Sequence, residues 1–66
     1  MLWGLARRIR EEGYVATESD LRSLLGSGCT AARAREVLHR ERERHPERPF
    51  AAALDALDAL DPAGRR

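Results

Sequence analysis

The chain has no lysine, no asparagine and no glutamine, and it has a single cysteine, Cys29. One cysteine excludes an internal disulfide and suits a reducing compartment. No apolar run approaches the roughly 20 residues of a membrane span, so no membrane partner is expected. The N-terminus, MLWGLARRIR, places its charges after its apolar residues, the reverse of a secretory signal. The expected location is therefore cytoplasmic. No alternating run supplies a strand, so the β-hairpin of a winged helix is not expected. With 66 residues the chain makes one domain, and at that size it is marginal alone. A second copy or a nucleic acid would stabilise it by linkage.

What is present is arginine. All 12 basic residues are arginine, against 11 acidic residues, for a net charge of +1. Residues 1–48 are rich in arginine, whereas residues 49–64 hold Asp55, Asp58 and Asp61 and no basic residue. Arginine's planar fork suits phosphate and guanine, although a GC-rich codon bias supplies the same composition.

The periodicity predicts an all-α domain of four helices over 1–62, at about 2–12, 18–25, 31–44 and 50–60. A frayed tail follows at 63–66. Leu2, Leu5, Ala6 and Ile9 give the first helix a buried stripe. Gly13 suits its C-terminal cap, and Tyr14 and Val15 are expected to pack on the core. Thr17, with Asp20 three residues on, forms a weak capping box for the second helix. That helix buries Leu21, Leu24 and Leu25 and ends at Gly26-Ser-Gly28. Thr30 or Cys29 caps the third, which turns Ala31, Ala34, Val37 and Leu38 inward. Its RERER end is too polar to be core on any face. Pro46 and Pro49 mark the next turn, because neither fits a helix interior. Ala53, Leu54, Leu57 and Leu60 face inward from the fourth helix, and Pro62-Ala-Gly64 ends it. Trp3 and Phe50 are read as core anchors, with Trp3 alternatively facing a second copy. Leu54, Leu57 and Leu60 likewise either close the core or pair in a homodimer.

Thr17 to Leu38 reads as two short helices joined by a glycine-marked turn, the layout of a helix-turn-helix. In such a unit one stripe of the third helix packs on the second and the other meets DNA. The residues offered near its start are Thr30, Ala32, Arg33 and Glu36, with Arg33 the candidate for a bidentate pair to guanine. Arg35 and Arg40 point out or flank the stripe. His39, Arg40, Arg42 and Arg44 serve as backbone contacts or stay solvated. Ser27 and the free amides of the helix start can take a phosphate. Arginines on an alanine-rich helix are also, commonly, just a solvated face. Counting from Gly26, the tightest turn would bury Ala32 and Arg35. The stripe at Ala34 and Val37 instead makes the turn about two residues longer.

Gly13 to Thr17, Leu24-Leu25-Gly26, Gly28 and Thr30 to Leu38 resemble the helix-turn-helix of plasmid-encoded DNA-binding proteins, especially the KfrA-type N-terminal domain. LLGSGCTAARAREVL is also similar to the turn and recognition helix of the DNA-reading domain in FtsK-type translocases. The resemblance covers about half the chain. It implies sequence-specific binding of double-stranded DNA, with Thr30, Arg33 and their exposed neighbours in the recognition role. It suits a transcriptional regulator or an accessory factor of a plasmid or phage. The alternative is a helical protein-interaction module using the acidic, leucine-rich last helix.

Nothing points to an enzyme. His39 and His45 are six residues apart, which turns them to opposite faces of a helix, and Cys29 is ten residues before His39. No metal, cofactor or small-molecule substrate is expected, and Cys29 is read as a small packing residue at the turn.

Overall fold

The computed structural model describes residues 1–61, so the Pro62–Gly64 stop and the tail at 63–66 lie outside the described residues. Four helices follow in order: α1 Leu2–Glu12, α2 Glu18–Gly26, α3 Ala31–Arg44 and α4 Phe50–Leu60. Among the described residues there is no strand, so the all-α reading holds. No helix among them is long and apolar enough to cross a membrane.

Local chemistry sets the helix ends. Gly13 terminates α1 in the left-handed region, at φ 68°, and its N–H donates to the Ile9 carbonyl. Thr17 and Asp20 complete a reciprocal capping box on α2. The Thr30 hydroxyl accepts from the Arg33 amide at 3.1 Å to start α3. Between these caps, Gly28 takes φ 102°, which lets the α2–α3 turn close.

The helices assemble around α4. Phe50, Ala53, Leu54, Ala56 and Leu57 are all buried, and both α2 and α3 pack on this helix, with α1 against α3. The stripe of α3 was expected to pack on α2. Its main seam is instead with α4, whose alanines let neighbouring backbones approach. Leu21 and Leu24 of α2 and Ala34, Val37 and Leu38 of α3 fill the core with Ile9 and Ala6 of α1. Burying one such leucine contributes about 1.5–3 kcal/mol. Leu54 and Leu57 are used up inside the chain's own core, and Leu60 packs against it half-buried. Leu54 and Leu57 thus close the chain's own core, the first of the two readings of that face.

Three other expectations change. Trp3 is not a core anchor: it stands 55% exposed, while Phe50 is fully buried. Val15 is exposed, and it is Ala16 that enters the core. The RERER segment does reach the core, because Glu41 is only 5% exposed. Position 41 continues the stripe of Val37 and Leu38 by three and four residues. The Glu41 carboxylate is tolerated there because the Arg10 guanidinium of α1 meets it at 3.4 Å. His45 lies alongside it, with Nε2 4.0 Å from the same carboxylate and its ring 6.4 Å from that of Phe50.

A polar cluster ties α1 to the start of α2. The Arg8 guanidinium stacks 4.1 Å from the Tyr14 ring centroid. The Tyr14 hydroxyl donates to Asp20 Oδ2 at 2.6 Å, and the Thr17 amide donates to the same oxygen at 2.9 Å. The hydroxyl bond, then the amide bond, hold the Asp20 carboxyl below the usual aspartate range.

Three outcomes follow for stability. Space is open around Gly4 inside α1, so Gly4→Ala should stabilise by about 0.5–1 kcal/mol. Gly13→Ala should destabilise by about 1–2 kcal/mol, because its φ of 68° disfavours a Cβ. Urea unfolding of the two variants should move in opposite directions. Because the folded Asp20 value is lowered, its cluster adds stability above the ordinary aspartate range and loses it as pH falls through the folded value. Tyr14→Phe should raise the Asp20 titration, read by carboxyl-carbon NMR, and start acid unfolding at a higher pH. An unshifted titration would show that the hydroxyl bond is not formed in solution.

Candidate nucleic-acid interface

The free face of α3 follows from its buried one. At about 100° per residue, burial of Ala34, Val37, Leu38 and Glu41 leaves Ala32, Glu36, His39 and Glu43 along the centre of the opposite side. All four are exposed. Arg33, Arg40 and Arg44 fall along one edge of this face, and Arg35 and Arg42 along the other. The centre is thus small, polar or acidic, and the edges are arginine.

The sequence-predicted residues do not all share this surface. Thr30, Ala32, Arg33, Glu36, His39 and Arg40 are exposed together. Glu36 lies between two arginines, 3.7 Å from Arg33 and 3.5 Å from Arg40. These are half-exposed surface pairs, each worth at most about 1 kcal/mol, so the arginines can exchange them for another anion. Thr30 spends its hydroxyl on the helix cap. Ser27 is exposed at the turn, but its hydroxyl donates to the Leu24 carbonyl at 2.8 Å.

Arg35 is different. Its side chain is only 21% exposed. One guanidinium nitrogen, Nη2, donates to Asp58 Oδ1 at 2.8 Å and to the Asp61 carbonyl at 2.9 Å. It therefore clamps α3 onto the C-terminal end of α4, where a cation also complements the helix dipole. This partner was invisible from helical spacing, because Asp58 and Asp61 lie 23 and 26 residues away.

Sequence reasoning missed one neighbour of the face. The Arg33 guanidinium lies 5.9 Å from the centroid of the Trp3 ring, so α1 borders the arginine edge of α3. Among the described residues, Arg22, Arg42, Arg44 and Arg48 have no carboxylate within ion-pair reach. Cys29 is half-buried and packs against the core at the turn. The groove between α1 and α2, lined by Met1, Gly4, Leu5, Arg8, Asp20 and Ser23, is open to solvent and lies apart from the α3 face.

No protein-family model, curated protein or solved structure matches the chain.

The contrast between Arg33 and Arg35 is directly measurable. Arg35→Ala should lower the unfolding free energy by about 1 kcal/mol, through loss of a charge-assisted pair and a carbonyl contact. Arg33→Ala should stay within about 0.5 kcal/mol, as is usual for an exposed substitution. Equal losses in urea unfolding would mean that the clamp on α4 does not persist in solution.

Proposed function

We propose that the chain binds double-stranded DNA through the exposed face of α3, as a helix-turn-helix with a lengthened α2–α3 turn. The observation that carries this reading is the layout of that face. Arginines flank a centre of small, polar and acidic residues, and the face is open from the Thr30 cap to the end of the helix. A helix lying in the major groove meets phosphates on both walls and base edges between them. Arg33 and Arg40 on one edge and Arg42 on the other would meet the walls or the bases next to them. Ala32 lets the helix start approach closely. Arg33 is the strongest base reader because it lies in the first turn and its contact with the Glu36 carboxylate is exposed. Glu36, at the centre, can accept from a cytosine amine. The Ala31 and Ala32 amides, with the exposed turn at Ser27, suit a phosphate. Arg35 contributes by fixing the tilt of α3 on α4 rather than by contact.

A regulator or an accessory factor of a plasmid or phage is the role that suits such a domain. A homodimer would match a palindromic site. With Leu54 and Leu57 buried, it would have to form elsewhere, and the exposed Trp3 is the remaining candidate.

Fluorescence anisotropy with random-sequence duplex at low salt tests the reading first, because a helix-turn-helix retains non-specific affinity. Affinity should fall steeply as salt rises. After selection of a site from random duplexes, Arg33→Ala should cost about 1–3 kcal/mol and relax base choice at one position. Arg42→Ala should weaken all sequences alike and reduce the salt slope by about one. Absence of binding to any duplex at low salt would overturn the proposal.

A further inference from the structure

Trp3 is a large apolar residue standing 55% exposed, and neither the core nor the α3 face as read from the sequence accounts for it. It lies on α1, yet its ring is beside Arg33 of α3, with the guanidinium carbon 5.9 Å from the ring centroid. Glu36 approaches the same guanidinium at 3.7 Å from within α3. Arg33 is therefore bracketed by an aromatic ring on one helix and a carboxylate on its own. An arginine otherwise free in solution has many rotamers, and fixing it for a bidentate contact costs conformational entropy. A ring beside the guanidinium restricts those rotamers before any partner arrives and leaves the outward N–H donors unspent. Glu36 alone would hold the arginine too, but by occupying those donors.

We infer that Trp3 is a positioning residue for Arg33, holding its guanidinium at the edge of the α3 face so that it meets its partner already ordered. The inference rests on the proposed DNA reading for what that partner is. The pairing itself does not depend on it. Trp3 touches no base in this scheme and acts only through Arg33. The interface accordingly begins on α1.

Trp3 is the one tryptophan of the chain, so its fluorescence reports the pair directly. In the free protein, the nearby cation should favour quenching of Trp3 by iodide over caesium. Arg33→Ala should lower that iodide-to-caesium ratio, while Arg42→Ala leaves it unchanged. An unchanged ratio in Arg33→Ala would overturn the pairing, whatever the protein binds. On duplex DNA, Trp3→Ala should weaken binding about two- to fivefold, the range of an exposed cation–π contact. Trp3→Phe should recover part of the loss. In an Arg33→Ala background, Trp3→Ala should cost nothing further. An equal loss in both backgrounds, or no loss in either, would overturn the positioning role. If no duplex binds the unsubstituted protein, the DNA reading and the positioning role toward DNA fail together. The quenching ratio then still decides whether Trp3 and Arg33 are paired.

Discussion

The packing of α4 is the constraint on which the rest depends. The first three helices meet one another less than α2 and α3 meet α4, and so short a chain has little surface to spare. α2 and α3 both lie on α4, and α1 reaches the assembly through α3. The alternation of alanine and leucine in FAAALDALDAL makes this possible: alanines bring backbones close, and Leu54 and Leu57 fill the space between them. The fourth helix thus closes the core of the other three. The α3 face has a defined direction only because α4 lies behind it.

Two polar contacts then refine that direction. Arg35 joins α3 to the end of α4, and Glu41 joins it to α1 through Arg10. Arg35 flanks the apolar stripe and Glu41 continues it, so each ties α3 to a different helix and together they oppose rotation of α3 about its own axis. Neither need contribute much net stability: solvent weakens the Arg35–Asp58 pair, whose carboxylate is exposed, and desolvation of Glu41 offsets much of its attraction to Arg10. Their effect is on orientation, which matters to a helix whose outward face is the proposed interface. Asp58 belongs to the acidic last helix, so the separation of charge between the two parts of the chain is partly a structural device. A basic helix is held by an acidic one.

The candidate interface was only partly legible in the sequence. Thr30, Ala32, Arg33, Glu36, His39 and Arg40 could be placed together because a helix fixes which residues share a face, and the apolar stripe marks the opposite one. Arg35 could not be sorted from Arg33 in this way, since both flank the stripe. Their difference depends on Asp58 and Asp61, brought near by the turn at Pro46–Pro49 and the packing of α4. Trp3 was misplaced for a similar reason. A tryptophan near an apolar stripe reads as core, yet position 3 falls outside the stripe of Leu2, Ala6 and Ile9. Glu41 was misread in the opposite sense. Its charge argued for the surface, and only the arrival of Arg10 from α1 makes its burial tolerable.

The sequence by itself determined the four helices and where they end, because caps, glycine turns and prolines act within a few residues of one another. It also determined which face of each helix is apolar, because periodicity is a local property. The tertiary structure alone decided which helix each face meets, which arginines remain available and where the one tryptophan lies. Those outcomes depend on pairs such as Arg35 with Asp58, Arg10 with Glu41 and Trp3 with Arg33, whose partners are 23, 31 and 30 residues apart. Contact between residues so distant in sequence is set by packing, which no local pattern encodes.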